Sequence, residues 1–131
     1  MKFSWFSKNK TTERVIYFET YLSGANLETF GVPQYVIEKL TKVGDEVVLV
    51  WDNENTHDPC AMAVAIHKYL DLLKRVDNWF IGWIPASMNH QICEDFQRGK
   101  KVKGVILEKQ KPTNEYNYWN VKIQVYREEE N

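Results

Sequence analysis

Cysteine is scarce: two residues, Cys60 and Cys93, in a chain of 131. Two thiols make no disulfide framework of the kind that staples small secreted domains, and they suggest reduced side chains in an intracellular protein. Charge of one sign is lacking too. The formal net charge is −1, so no global positive field draws in nucleic acid or an anionic membrane, and any nucleic-acid binding needs a local basic patch. No stretch approaches the roughly 20 apolar residues of a membrane span, and the opening "MKFSWFSKNKTTE" has no apolar run of signal-peptide length. A soluble, cytoplasmic protein with no membrane partner is expected. Sequence motifs for chemistry are equally sparse: there is no nucleophile elbow, no phosphate-binding GKS/T loop and no HExxH helix. These gaps argue against an enzyme and imply no cofactor.

What is present is a chain of single-domain length with 44% hydrophobic and 14% aromatic residues, among them five Trp and seven Tyr. Residues 1–12 read as a flexible leader, 13–127 as one domain, and the "REEEN" end, 128–131, as an acidic tail. "RVIYFETYLSG" (14–24) is rich in β-branched and aromatic residues and reads as a strand. Pro33 followed by Val36, Ile37 and Leu40 predicts a short helix that stops before Gly44. "DEVVLVW" (45–51) and "CAMAVAI" (60–66) are strands. The second has an alanine face, Ala61, Ala63 and Ala65, that would let another element approach closely. Residues 67–78 fit either a helix or a long hairpin. "WFIGWIP" (79–85) is a strand, 86–99 a helix closed by Gly99, and 100–110 and 116–126 two further strands. The whole is mostly β: a small antiparallel OB- or SH3-like barrel of about six strands with two or three short helices.

Three sets of residues could carry chemistry. His57–Cys60 and His90–Cys93 share an HxxC spacing that could supply an N2S2 metal site, but zinc knuckles normally show tighter spacings, and coincidence is the preferred reading. Asp52, Glu54 and Asp58 crowd around His57, yet Asp and Asn here suit a turn in which they bond their own backbone. Arg98, Lys100, Lys101, Lys103, Lys109 and Lys111 lie in one stretch near Tyr116, Tyr118 and Tyr126. They could form a basic, aromatic groove for a single strand, or a sheet edge guarded by lysines.

Taken in order, "GDEVVLVWDNENTHDPCAMAV", "IGWIP", a helix and "GKKVKGVI" resemble the HIRAN domain, with its "NPYDxNAIAV"-like stretch and "IGYLP" segment. The resemblance covers about half the chain and implies a modified OB- or SH3-like barrel. Helicase-linked members of that family grip the 3′-OH end of single-stranded DNA, so the resemblance implies a noncatalytic module that binds single-stranded DNA or DNA ends, with a DNA-processing protein as a further partner. Carried over, Asn55 and Asp58 match the family's Asn and Asp, while His57 replaces its Tyr and Thr56 its Pro. Trp83 follows Gly82 at a DNA-contacting position. Tyr21, in preference to Tyr17, supplies the stacking aromatic of the first strand, and Lys101 and Lys103 could reach phosphates. Pro85-Ala86 stands where helicase-linked members carry a basic residue, and no aromatic stands near Leu107 and Glu108. A different class of function remains open: a protein-interaction module that kept the barrel and lost the DNA pocket.

Overall fold

The structure, a computed structural model, describes residues 12–27 and 32–130. Six strands follow the alternations in the sequence: β1 (Thr12–Tyr21), β2 (Glu46–Trp51), β3 (Met62–Leu70), β4 (Arg75–Trp83), β5 (Val102–Gln110) and β6 (Asn120–Glu130). Two helices join them, α1 (Pro33–Leu40) and α2 (His90–Gln97). All neighbouring strands pair antiparallel in the order β1-β6-β5-β2-β3-β4. The sheet curls without closing. Across the gap, among the described residues, Ser23, just after β1, meets Trp83 at the end of β4 through two backbone hydrogen bonds of 2.8 Å each. The architecture is therefore a barrel-like sheet with an open seam between β1 and β4, as the sequence predicts in strand number and pairing sense.

The period-two pattern explains which face is buried. Val121, Ile123 and Val125 on β6 and Met62, Val64 and Ile66 on β3 point into the core and are essentially inaccessible. Each such side chain removed from water contributes about 1.5–3 kcal/mol. Pro33 opens α1, where its missing N–H costs nothing. Val36 and Ile37 of α1 are buried. Gln34 pins the helix by donating to the carbonyls of Ala25 and Trp119 and accepting from Trp119 N–H. Lys109 closes its other end, donating to the carbonyls of Glu38 and Thr41, where a cation suits the helix dipole.

The structure resolves one open reading and revises the bounds of others. Residues 67–78 form the β3–β4 hairpin: Tyr69 faces Val76 and Leu70 faces Arg75, so the apparent helical spacing reflects residues shared between two strands and a turn. The predicted 86–99 helix shortens to His90–Gln97, because Pro85 to Met88 form a separate turn closed by Met88 N–H on the Pro85 carbonyl. Residues 128–130, expected as a solvated tail, continue β6 and pair with Thr12–Arg14. Of the alanine face, Ala61 and Ala65 are buried, while Ala63 is partly exposed and lines an outer cleft. The leader expected over 1–12 lies outside the described residues except for Thr12, which opens β1.

A β-bulge in β4 shapes the seam. Ala63 faces Trp83 and Ala65 faces Phe80, so β4 carries one extra residue there. Gly82 sits at this point with φ +155°, and a Cβ on it would lie 2.9 Å from Leu22 Cβ and 3.1 Å from the Ser23 carbonyl oxygen. Gly82→Ala must push the β1 end away and should destabilise the protein by about 1–3 kcal/mol. A urea midpoint equal to that of the wild type would show that the seam is not close-packed.

Candidate nucleic-acid interface

The polar run 52–58 is first a turn, and its geometry is built from its own side chains. Asn55 Oδ1 accepts the backbone N–H groups of His57 and Asp58, each at 2.9 Å. Asp58 Oδ1 accepts Cys60 N–H at 2.9 Å, while Oδ2 accepts the Asn89 amide at 2.9 Å. Asn89 is buried at the start of α2. Asp58 therefore ties the β2–β3 turn to the helix as well as bonding its own backbone. Trp51 Nε1–H reaches across the same turn to the Pro59 carbonyl at 2.8 Å.

Next to that tie, Cys60 and Cys93 form a disulfide, with Cα atoms 5.5 Å apart. The expectation of reduced thiols is corrected. Cysteine number and spacing carried no sign that the buried face of α2 would land on the start of β3. The two HxxC pairs do converge, but their sulfurs bond each other, and among the described residues no three His, Cys, Asp or Glu side chains gather as a metal site.

The Asn89 amide and the Cys60 N–H hold the Asp58 carboxyl below the usual carboxylate range, with the charge of His90 adding to them. α2 is held from its other side by buried Asp95, which accepts the Tyr17 hydroxyl and lies 3.6 Å from Arg127 and 3.9 Å from Lys100. Burial, then the Asp95 carboxylate, pushes the Tyr17 phenol up.

The residues expected to form one site divide among three places. Trp83 stands in a cleft of about 390 Å³ with Val50, Trp51, Ala63 and Phe80, rimmed by Asp52, Asn53 and Glu54. Phe80 meets it edge to face at 5.5 Å. Asn55, His57 and Asp58 follow in the same turn, but Asn55 and Asp58 spend their oxygens on structure, while the His57 side chain is exposed. Tyr21 lies beyond Ser23, in a second cleft of about 290 Å³ with Tyr116, Tyr118, Gln110 and Asn120. The two clefts flank the Ser23–Trp83 seam.

Lys101 and Lys103 lie elsewhere, at the start of β5. Lys101 is exposed. Lys103 pairs with Glu128 at 2.8 Å, which raises its pKa. The wider basic stretch is similarly committed, with Lys100 near Asp95 and Lys109 on α1.

Sequence reasoning missed Phe80 as a wall of the cleft, because strict alternation puts it on the opposite face from Trp83. Gly82, a glycine inside a strand, was the available sign of a bulge. It missed Asn89 as well, which no local pattern distinguishes from a helix-start residue.

A solved structure of a protein from Lactobacillus plantarum matches the chain with TM-score 0.65 and 15% identity, covering 91% of this chain and 99% of that one. The HIRAN domain of human HLTF matches with TM-score 0.55 and 11% identity, covering 88% of this chain and 78% of that one. At such identities the likeness is one of fold, and the fold is HIRAN-like. No family model matches the chain, and no curated protein matches it.

Two predictions follow from the tie between turn and helix. Asp58→Ala removes the acceptor of two hydrogen bonds and should cost about 1–2 kcal/mol. Because the folded Asp58 titrates below its unfolded value, its contribution is present above about pH 4 and is lost as pH falls through the lower folded pKa. The variant should therefore show a smaller loss of stability on acidification than the wild type. Equal midpoints at pH 7, or parallel acid limbs, would mean that Asp58 does not hold the turn. Reduction of Cys60–Cys93, which spans 33 residues, should lower stability by about 3–4 kcal/mol in the chain-entropy model, read as a drop in melting temperature on adding a phosphine reductant. A melting curve unchanged by complete reduction, verified by thiol counting, would contradict it.

Proposed function

We propose that this protein is a noncatalytic module that binds single-stranded nucleic acid, with the cleft around Trp83 as its principal contact. The observation that carries the reading is the aromatic pair Trp83–Phe80 set over small Ala63 at the seam of a HIRAN-like fold. A base can lie against such a surface, and stacking contributes roughly 1–3 kcal/mol per base without demanding a sequence. Tyr21 extends the aromatic surface across the seam, and His57, beside the rim, offers a polar contact.

The rim supports an end over a long backbone. Asp52 and Glu54 bring carboxylates and Asn53 an amide, groups that accept hydrogen bonds from sugar hydroxyls and repel phosphates. A terminal nucleoside with a free 3′-OH fits that chemistry better than an internal phosphodiester. Asn55 and Asp58 contribute by holding the rim in place. Lys101, with Lys103 once released from Glu128, supplies the cationic contact nearest the start of β5. Few phosphates are neutralised in such a mode, so affinity is modest and falls only gently with salt.

One observation favours a second reading, a protein-interaction module on the same barrel. Lys100, Lys103 and Lys109 are already engaged by Asp95, Glu128 and the end of α1, which leaves little cationic surface for phosphates.

A titration of fluorescently labelled single strands with free or blocked 3′ ends separates the two. Trp83→Ala should weaken binding about 5- to 150-fold, the range that loss of one stacked base implies, with an unchanged circular dichroism spectrum. Blocking the 3′-OH should weaken it as well. No detectable binding of the wild type at low salt would replace the nucleic-acid reading with the interaction module. Binding that ignores the 3′ end would remove the end-recognition part alone.

A further inference from the structure

The end of the β3–β4 hairpin carries an exposed surface, beside a cleft that Arg75, Asp77 and Asn78 share with Val32 and Val36 at the start of α1. β4 ends the strand order, and its first four residues, Arg75, Val76, Asp77 and Asn78, are all exposed. Among the described residues no strand pairs with them on the outer side. Large apolar side chains cluster beside this edge: Tyr69 is 49% exposed, Leu72 59% and Val76 57%. Tyr69 and Val76 are cross-strand partners, so they stand side by side on one face. Arg75 and Asp77 occupy the other face, where they form an exposed ion pair at 3.4 Å. These four residues include no proline, and their two charges are of opposite sign, so the edge carries no excess of one charge to repel a second copy.

The order of these residues is self-complementary. If two copies of β4 lie antiparallel with Val76 opposite Val76 of the second copy, Arg75 falls opposite Asp77 of that copy, and Asp77 opposite its Arg75. Both charge pairs are then of opposite sign. On the other face Tyr69, Val76 and their counterparts form one continuous apolar row. A shift of one residue loses both features, since Arg75 would then face Val76 or Asn78.

We propose that the chain forms a two-fold dimer by antiparallel pairing of this β4 edge, its occupant being a second copy of the same chain. The charge complementarity argues for a second copy over an unrelated strand, because one short sequence supplies both halves of the match. Pairing at 75–78 leaves Phe80 and Trp83, at the other end of β4, outside the contact, so dimerisation does not depend on the nucleic-acid reading.

Sedimentation velocity of the full chain over a range of concentrations, with light scattering to fix the mass, tests the proposal. The wild type should pass from monomer to dimer as concentration rises. Arg75→Asp and Asp77→Arg each place like charges opposite one another twice, and each should weaken association roughly tenfold or more. An equimolar mixture of the two variants restores both opposite-charge pairs and should form the heterodimer, as should the double variant with itself. Val76→Lys, which sets two ammonium groups on the two-fold axis, should be monomeric. These side chains are exposed, and an unchanged melting temperature checks that each variant folds. A wild type that stays monomeric at every concentration overturns the proposal. So does a dimer that both single variants retain at full strength, which would place the contact elsewhere, or a mixture no stronger than its components.

Discussion

The Asp58 carboxylate is the constraint on which the candidate site depends. One oxygen fixes the backbone at Cys60 and the other holds the amide of buried Asn89. The chain thereby leaves the β2–β3 turn in the right direction to start β3 and, at the same contact, receives α2. The disulfide two residues further on repeats the connection covalently. Together they determine where Asp52, Asn53 and Glu54 stand relative to Trp83, because a turn free to swing would open the rim of the cleft. Stability and site geometry are here the same interaction, seen from two sides of one residue.

The second constraint is the bulge at Gly82. A regular β4 would turn Trp83 to the face opposite Phe80. The extra residue in β4 brings both rings to the outer face, and the absence of a side chain at Gly82 lets Leu22 and Ser23 approach closely enough to bridge the seam. The aromatic surface thus exists because the sheet nearly closes at this point. Tyr21 gains its place across the seam by the same bridge, although it lies 62 residues away in the chain from Trp83.

Local regularities were legible in the sequence, and contacts between distant segments were not. The apolar run at 45–51, the alternation within 116–126 and the Pro33 helix start are statements about neighbours, and they match the structure closely. The hairpin at 67–78 was ambiguous because Tyr69, Leu72, Leu73 and Val76 satisfy a helical period by accident. What decides between helix and hairpin is the pairing of β3 with β4, which periodicity does not encode. The backbone role of Asp58 was readable from turn chemistry, whereas its second partner, Asn89, is 31 residues away. The pairing of Cys60 with Cys93 has the same origin. The ion pair of Lys103 with Glu128 was hidden because the acidic end reads as a tail, whereas it is the end of β6 and places Glu128 beside Lys103.

That last point bears on what the surface can recognise. A lysine counted in sequence is a potential phosphate contact; a lysine already paired must give up its carboxylate first, and the exchange gains little in water, where exposed ion pairs are worth about 0–1 kcal/mol. The binding proposed above therefore rests on apolar and aromatic surface to a greater degree than the lysine-rich stretch suggests. The outer faces of β3 and β4 supply that surface, with Trp83 and Phe80 at one end and Tyr69 and Val76 at the other. Polar groups adjoin both surfaces: acceptors around the cleft, and the Arg75–Asp77 ion pair on the edge. A net charge of −1 supplies no strong field to steer a partner from a distance, so the proposed contacts must select by shape and hydrogen bonding.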